Sequence, residues 1–166
     1  MRFAPAAVAL SLVLAVSASV TSADDRQAAP RAATLIAQGD AALKAGDAQA
    51  AIDAFEAALA VDPGHTPIFL KLAEAARLDG LQGKAIRYYR EALDRDPDNF
   101  AAISGEGLAL VEKGALEKAK RNLTRLESLC GASCPETRDL KLSIATGTQT
   151  QFAAETSAAE STPASN

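Results

Sequence analysis

Residues 51–63 read Ala-Ile-Asp-Ala-Phe-Glu-Ala-Ala-Leu-Ala-Val-Asp-Pro, and residues 85–97 read Ala-Ile-Arg-Tyr-Tyr-Arg-Glu-Ala-Leu-Asp-Arg-Asp-Pro. The two stretches lie 34 residues apart and agree where chemistry is most constrained. Ala51, Ile52, Phe55, Ala58 and Leu59 recur as Ala85, Ile86, Tyr89, Ala92 and Leu93, the spacing of one apolar helix face. Asp62-Pro63 and Asp96-Pro97 end both helices, because proline disfavours the helical conformation in the residue before it. Thr66-Pro67 then opens a new helix, with Thr as N-cap and Pro at the first helical position.

Working outward, the same 34-residue step aligns Gly39 with Ala73 and Gly107, and Gly46 with Gly80 and Gly114. It also carries Ala51 and Ala85 to Ala119, Phe55 and Tyr89 to Leu123, and Ala58 and Ala92 to Leu126. Gly46, Gly80 and Gly114 each follow a helix, where a left-handed C-cap costs glycine least. Small residues at positions 39 and 51, and at 73 and 85, let paired helices cross closely. This period, with its small residue, Ala-x3-aromatic and Pro, resembles the tetratricopeptide repeat. Three units follow: 32–65, 66–99 and 100–133. In the third, Lys120 and Glu127 replace Ile and Leu, and Gly131 stands in the proline slot, as suits a terminal repeat with a wetter outer face. A capping helix over 134–145, with Leu140 and Ile144 apolar, covers the remaining edge. The expected fold is all-α, a right-handed solenoid of three helix pairs plus this cap.

The ends read differently. Arg2 precedes an uncharged run from Phe3 to Ala23 with an apolar centre from Ala6 to Val16, the pattern of a secretory signal peptide over 1–23. Cleavage is expected after Ala23, with the Ser17-Ala18-Ser19 stretch as the other site. The apolar centre is shorter than the roughly 20 residues of a membrane span, so no span is expected after cleavage, with an uncleaved anchor as the other reading. Residues 24–31 read as a linker. Residues 146–166, rich in Thr, Ser, Gln, Ala and Glu, read as a disordered tail. These features point to a periplasmic or secreted protein of a Gram-negative bacterium. The formal net charge is −4, one unit more negative without Arg2, which gives no support for nucleic-acid binding. With 4% aromatics and no Trp, a sandwich or barrel is excluded, and the composition argues against a deep, aromatic-lined pocket.

Little standard catalytic equipment is present: the chain holds one His, His65, and two Cys. His65 reads as an exposed turn residue. Cys130 and Cys134 sit at the junction of the last unit and the cap, and export makes a structural disulfide the default. Gly131-Ala132-Ser133 supplies the break that lets side chains four apart meet. A redox-active or copper-binding pair is the alternative; the C-x3-C spacing is similar to that of periplasmic copper-handling thiol proteins. Lys113, Lys118, Lys120, Arg121 and Arg125, interleaved with Glu112, Glu117 and Glu127, read as a solvated helix face, with docking of an acidic partner as the other reading. Tyr89 of Arg87-Tyr88-Tyr89-Arg90 fills the core slot, so that run is not a stacking motif. Gly105-Glu106-Gly107 lacks the strand and further glycines of a phosphate loop. No cofactor or metal is expected, and no enzyme.

The resemblance implies a concave groove lined by the first helices, taking a protein or peptide segment. On that implication the groove positions are Ile36, Asp40, Leu43 and Lys44 in the first unit. Leu70, Glu74 and Arg77 follow in the second, and Ser104, Leu108 and Val111 in the third. The family's carboxylate clamp of Lys and Asn is absent, since Ile36, Asp40, Leu70 and Glu74 hold those slots. A groove ligand is therefore expected to be apolar or basic. The function expected is a non-enzymatic adaptor or scaffold in envelope assembly, secretion or cytochrome maturation. Thiol-redox or copper handling, and a structural oligomerisation module, are the alternatives.

Overall fold

A computed structural model of the chain describes the backbone of residues 27–160 and the side chains of residues 27–150. The signal-peptide reading therefore falls outside the described residues. Among the described residues seven helices follow in order: α1 Pro30–Lys44, α2 Ala48–Val61, α3 Pro67–Leu78, α4 Gln82–Arg95, α5 Phe100–Glu112, α6 Leu116–Leu129 and α7 Pro135–Glu160. They pair as α1 with α2, α3 with α4 and α5 with α6; each pair stacks on the next, and α7 packs on the last.

The repeat is visible in the turns. Gly46, Gly80 and Gly114 adopt φ of 79°, 75° and 78°. Each donates its N–H three residues back, and the following residue donates five back (Asp47 to Ala42, Leu81 to Ala76, Ala115 to Leu110). This double bond is the Schellman stop, which satisfies the last carbonyls of the first helix. Second helices start differently. Asp47 caps α2 by accepting from Ala50 N–H at 2.9 Å, whereas Leu81 and Ala115 leave α4 and α6 without a side-chain cap. Thr66 stands at the N-cap of α3 but makes no cap bond, so Pro67 at N1 opens that helix instead. Asn99 accepts from Ala102 N–H at 2.9 Å and caps α5. Pro30 opens α1 two residues inside the expected linker, helped by Asp62, whose carboxylate accepts from Ala29 N–H at 3.0 Å.

The core is continuous through the stack. Phe55, Ile52, Ile68, Leu72, Ile103, Leu126 and Leu140 are fully buried, with alanines between them. Glycines set the closest approaches. A Cβ on Gly39 would sit 2.3 Å from Phe55 Cε1, and one on Gly105 would sit 2.3 Å from Tyr89 Cε1. One on Gly107 would lie 2.6 Å from Leu140 Cδ2, so the third unit's small slot serves the cap rather than its own second helix.

The carboxy end departs from expectation. The cap does not stop at 145; α7 continues to Glu160, through most of the stretch read as a disordered tail. Gly147 explains the continuation, because it lets α7 pass against Val111 and Leu116, at 2.9 and 3.1 Å from an added Cβ. Thr146 and Thr148 donate to the carbonyls of Leu142 and Ile144, four residues back. Ala, Gln and Glu then sustain the helix on propensity. Residues 161–166 lie outside the described residues.

Candidate functional site

A cleft of about 260 Å³ opens between α3, α5 and the first turn of α7. Leu70, Glu74 and Arg77 come from α3, and Ala101, Ser104, Gly105 and Leu108 from α5. Pro135, Glu136 and Asp139 of α7 form the third wall, with Tyr89 of α4 at the base. Glu74 and Arg77 stand one helical turn apart and face the same way. Gly105 has no side chain, so the Tyr89 ring lies against the α5 backbone, only 6% exposed. Burial is the main reason the Tyr89 hydroxyl titrates above its ordinary range, with the neighbouring Arg77 pulling the other way.

The charges divide into spent and unspent. Arg77 pairs with Glu112 at 2.6 Å. Burial, the largest single influence, opposes its charge, but the bond and charge of Glu112 together with Tyr89 more than offset it and raise the pKa of Arg77. Glu74, Glu136 and Asp139 form no ion pair among the described residues. Ser104, itself buried, donates to the Glu136 carbonyl at 3.3 Å and ties α5 to the start of α7. The cleft is thus apolar at its floor and acidic at its rim.

Of the ten groove positions read from the sequence, five meet here: Leu70, Glu74, Arg77, Ser104 and Leu108. The others do not. Asp40 is bonded to Lys71 of α3 at 2.6 Å, which welds the first two units. Ile36 and Leu43 pack against the core as partly buried residues, and Lys44 is exposed at the end of α1. Val111 is overlaid by α7 at Gly147. The positions missed are Tyr89, Ala101, Gly105, Pro135, Glu136 and Asp139. The acidic start of the cap, Pro135-Glu136, was the available signal.

Immediately before that wall in the chain, Cys130 and Cys134 are bridged, with Cα atoms 5.8 Å apart and Gly131 at φ 85° between them. The buried Thr137 hydroxyl lies 3.5 Å from Cys130 Sγ. Ligand atoms of Cys130, Cys134 and Glu136 fall within 4.8 Å of one another. Bridged sulfurs are not thiolates, however, and the thiolate is the metal ligand.

Tyr88 is buried, and its hydroxyl donates to Glu56 of α2 at 2.9 Å. Lys84 reaches the same carboxylate at 2.8 Å. His65 is half-buried rather than exposed.

Comparison with known proteins now bears on this arrangement. The family description "Tetratricopeptide repeat" matches residues 36–99 and 83–120, together just over half the chain. The chain belongs to the tetratricopeptide repeat family. Solved tetratricopeptide domains share the fold. The first such domain of human RPAP3 has 22% identity and a TM-score of 0.61, over 72% of this chain and 96% of that one. The Sgt2 domain from Aspergillus fumigatus has 24% identity and a TM-score of 0.64, over 83% and 89%. The first domain of Spaghetti (RPAP3), solved with the HSP90 peptide SRMEEVD, has 23% identity and a TM-score of 0.62, over 72% and 96%. No curated protein matches the sequence. As a tetratricopeptide protein the chain is a protein-interaction module, of a class that generally serves as scaffold rather than enzyme. Among the described residues, no helix is long and apolar enough to cross a membrane.

Proposed function

We propose that this tetratricopeptide protein is an exported adaptor whose cleft between α3, α5 and α7 holds a partner segment carrying a lysine or arginine beside an apolar residue. The observation that carries this reading is the unspent charge. Glu74, Glu136 and Asp139 line a cleft floored by Leu70 and Leu108, while its one cation, Arg77, is neutralised by Glu112. An acidic segment would meet like charge, which costs several kcal/mol when desolvated. The Spaghetti domain was solved with SRMEEVD, a peptide rich in carboxylates; a cleft of the present sign suits the opposite ligand. The signal-peptide pattern of residues 1–23 and the Cys130–Cys134 bridge support a periplasmic setting in a Gram-negative cell. There the adaptor serves an envelope, secretion or cytochrome-maturation process.

The test uses purified protein spanning residues 24–166 and two tryptophan-tagged peptides, one alternating lysine with leucine and one alternating glutamate with leucine. The chain has no Trp, so the tag reports alone. The expected result is binding of the lysine peptide only, reversed in preference by a Glu74→Lys/Asp139→Lys variant. Preference of the unaltered protein for the glutamate peptide would sink the reading. Subcellular fractionation with amino-terminal sequencing tests export, and retention in the cytoplasm with an intact Met1 would refute it.

A further inference from the structure

A second recess, of about 230 Å³, lies on the other side of α5 from the cleft, between the starts of α4 and α6. Ile86 and Leu110 floor it, and Arg90, Lys113 and Lys118 line it. No carboxylate is among its lining residues. The basic run containing Lys113 and Lys118 is only partly a field of mutual pairs. Lys120 bonds Glu117 at 2.7 Å, and Arg125 reaches Asp98 and the Pro97 carbonyl. Lys113 and Lys118 have no ion-pair partner among the described residues. Arg90 is held at 2.7 Å by Glu106, which is only 8% exposed and also accepts from Asn122. That buried carboxylate fixes the guanidinium at the rim while leaving the two lysines uncompensated.

The helix starts reinforce the sign. Neither α4 nor α6 has a side-chain cap, and Gly83 and Ala115, at those starts, line the recess. Their first-turn N–H groups carry partial positive charge. A Cβ on Gly83 would meet only Lys113 Nζ, at 3.9 Å, so the space beside it is open.

We infer that this recess is a binding site, separate from the cleft, for an oxyanion head group, carboxylate or phosphate, carried on a short apolar stem. The head meets Lys113, Lys118 and the α4 start, and the stem lies on Ile86 and Leu110.

The probes are pentanoate and butyl phosphate, with butylammonium as control, titrated into the isotopically labelled protein of residues 24–166. Saturable amide shifts at Gly83 and Ala115 with at least one anion, and none with butylammonium, are expected. The two anion arms tell which head group is preferred. The surface substitutions Lys113→Ala/Lys118→Ala leave the unfolding transition in place and weaken binding at least tenfold. Absence of saturation by either anion up to millimolar concentration, or equal binding to the double variant, overturns the inference. Neither outcome depends on the lysine peptide, whose site is the cleft.

Discussion

Gly105→Ala places a methyl group where the structure has no room. The added Cβ falls 2.3 Å from Tyr89 Cε1 and Cζ and 2.6 Å from the hydroxyl oxygen. Ordinary carbon contact begins about 3.5 Å apart, so the ring must retreat by more than 1 Å, yet it is only 6% exposed. Either α4 parts from α5 or the ring swings into the cleft. Overpacking of this kind costs about 1–3 kcal/mol, and three colliding atoms place it at the upper end. Alanine's better helix propensity offsets about 1 kcal/mol. The expected net loss is therefore about 2 kcal/mol, read by urea unfolding followed by far-ultraviolet circular dichroism. Tyr89→Leu supplies the cycle, since Leu123 fills the equivalent slot of the third unit. In that background Gly105→Ala becomes neutral or stabilising. Gly83→Ala, whose added methyl meets nothing closer than 3.9 Å, causes no loss. Equal destabilisation by Gly105→Ala in both backgrounds, or a gain in the unaltered protein, would refute the steric reasoning.

Other consequences are as direct. Cys130→Ser/Cys134→Ser opens a short loop and lowers stability by about 2 kcal/mol on the chain-entropy account; hydrogen exchange in the first turn of α7 rises most, and unchanged exchange there contradicts the bridge's role in holding the cleft wall. Leu140→Ala removes a fully buried side chain that joins α7 to Gly107 and costs about 2–5 kcal/mol by denaturant titration. The hydrogen bond from Lys84 is the main cause that holds the Glu56 carboxyl below its ordinary range, with burial opposing and Tyr88 assisting. A group depressed on folding contributes stability above its unfolded pKa and loses it as pH falls through the folded one. Glu56→Gln is therefore less stable than the unaltered protein at pH 7, and the difference shrinks below the ordinary carboxylate range; a gap that widens in acid would reverse the sign.

The 34-residue step was legible because it rests on backbone necessities. Gly46, Gly80 and Gly114 must adopt positive φ, and Asp-Pro at 62–63 and 96–97 must end a helix. Those constraints act through neighbours in the chain, so a sequence displays them. The cleft was half legible for the converse reason. Leu70, Glu74 and Arg77 follow from helix phase, but Glu136 and Asp139 enter the site only because α7 folds back over α5. Asp40 looked like a groove residue until Lys71 claimed it, a pairing set by inter-unit distance and not by pattern. Gly105 could be read from the sequence only as not belonging to a phosphate loop; its purpose shows only beside the Tyr89 ring. The tail misled because its composition is polar, while Gly147 hides a close contact with Val111 and Leu116.

The central claim is that the acidic, apolar-floored cleft is where a partner segment sits. Amide shift mapping of the protein of residues 24–166 during titration with the lysine–leucine peptide tests it most directly. The account predicts saturable shifts at Ser104, Gly105, Leu108 and Glu136, abolished by Glu74→Lys/Asp139→Lys. Shifts confined to α1, or to the outer faces of α2 and α6, with those four amides unmoved, would contradict it.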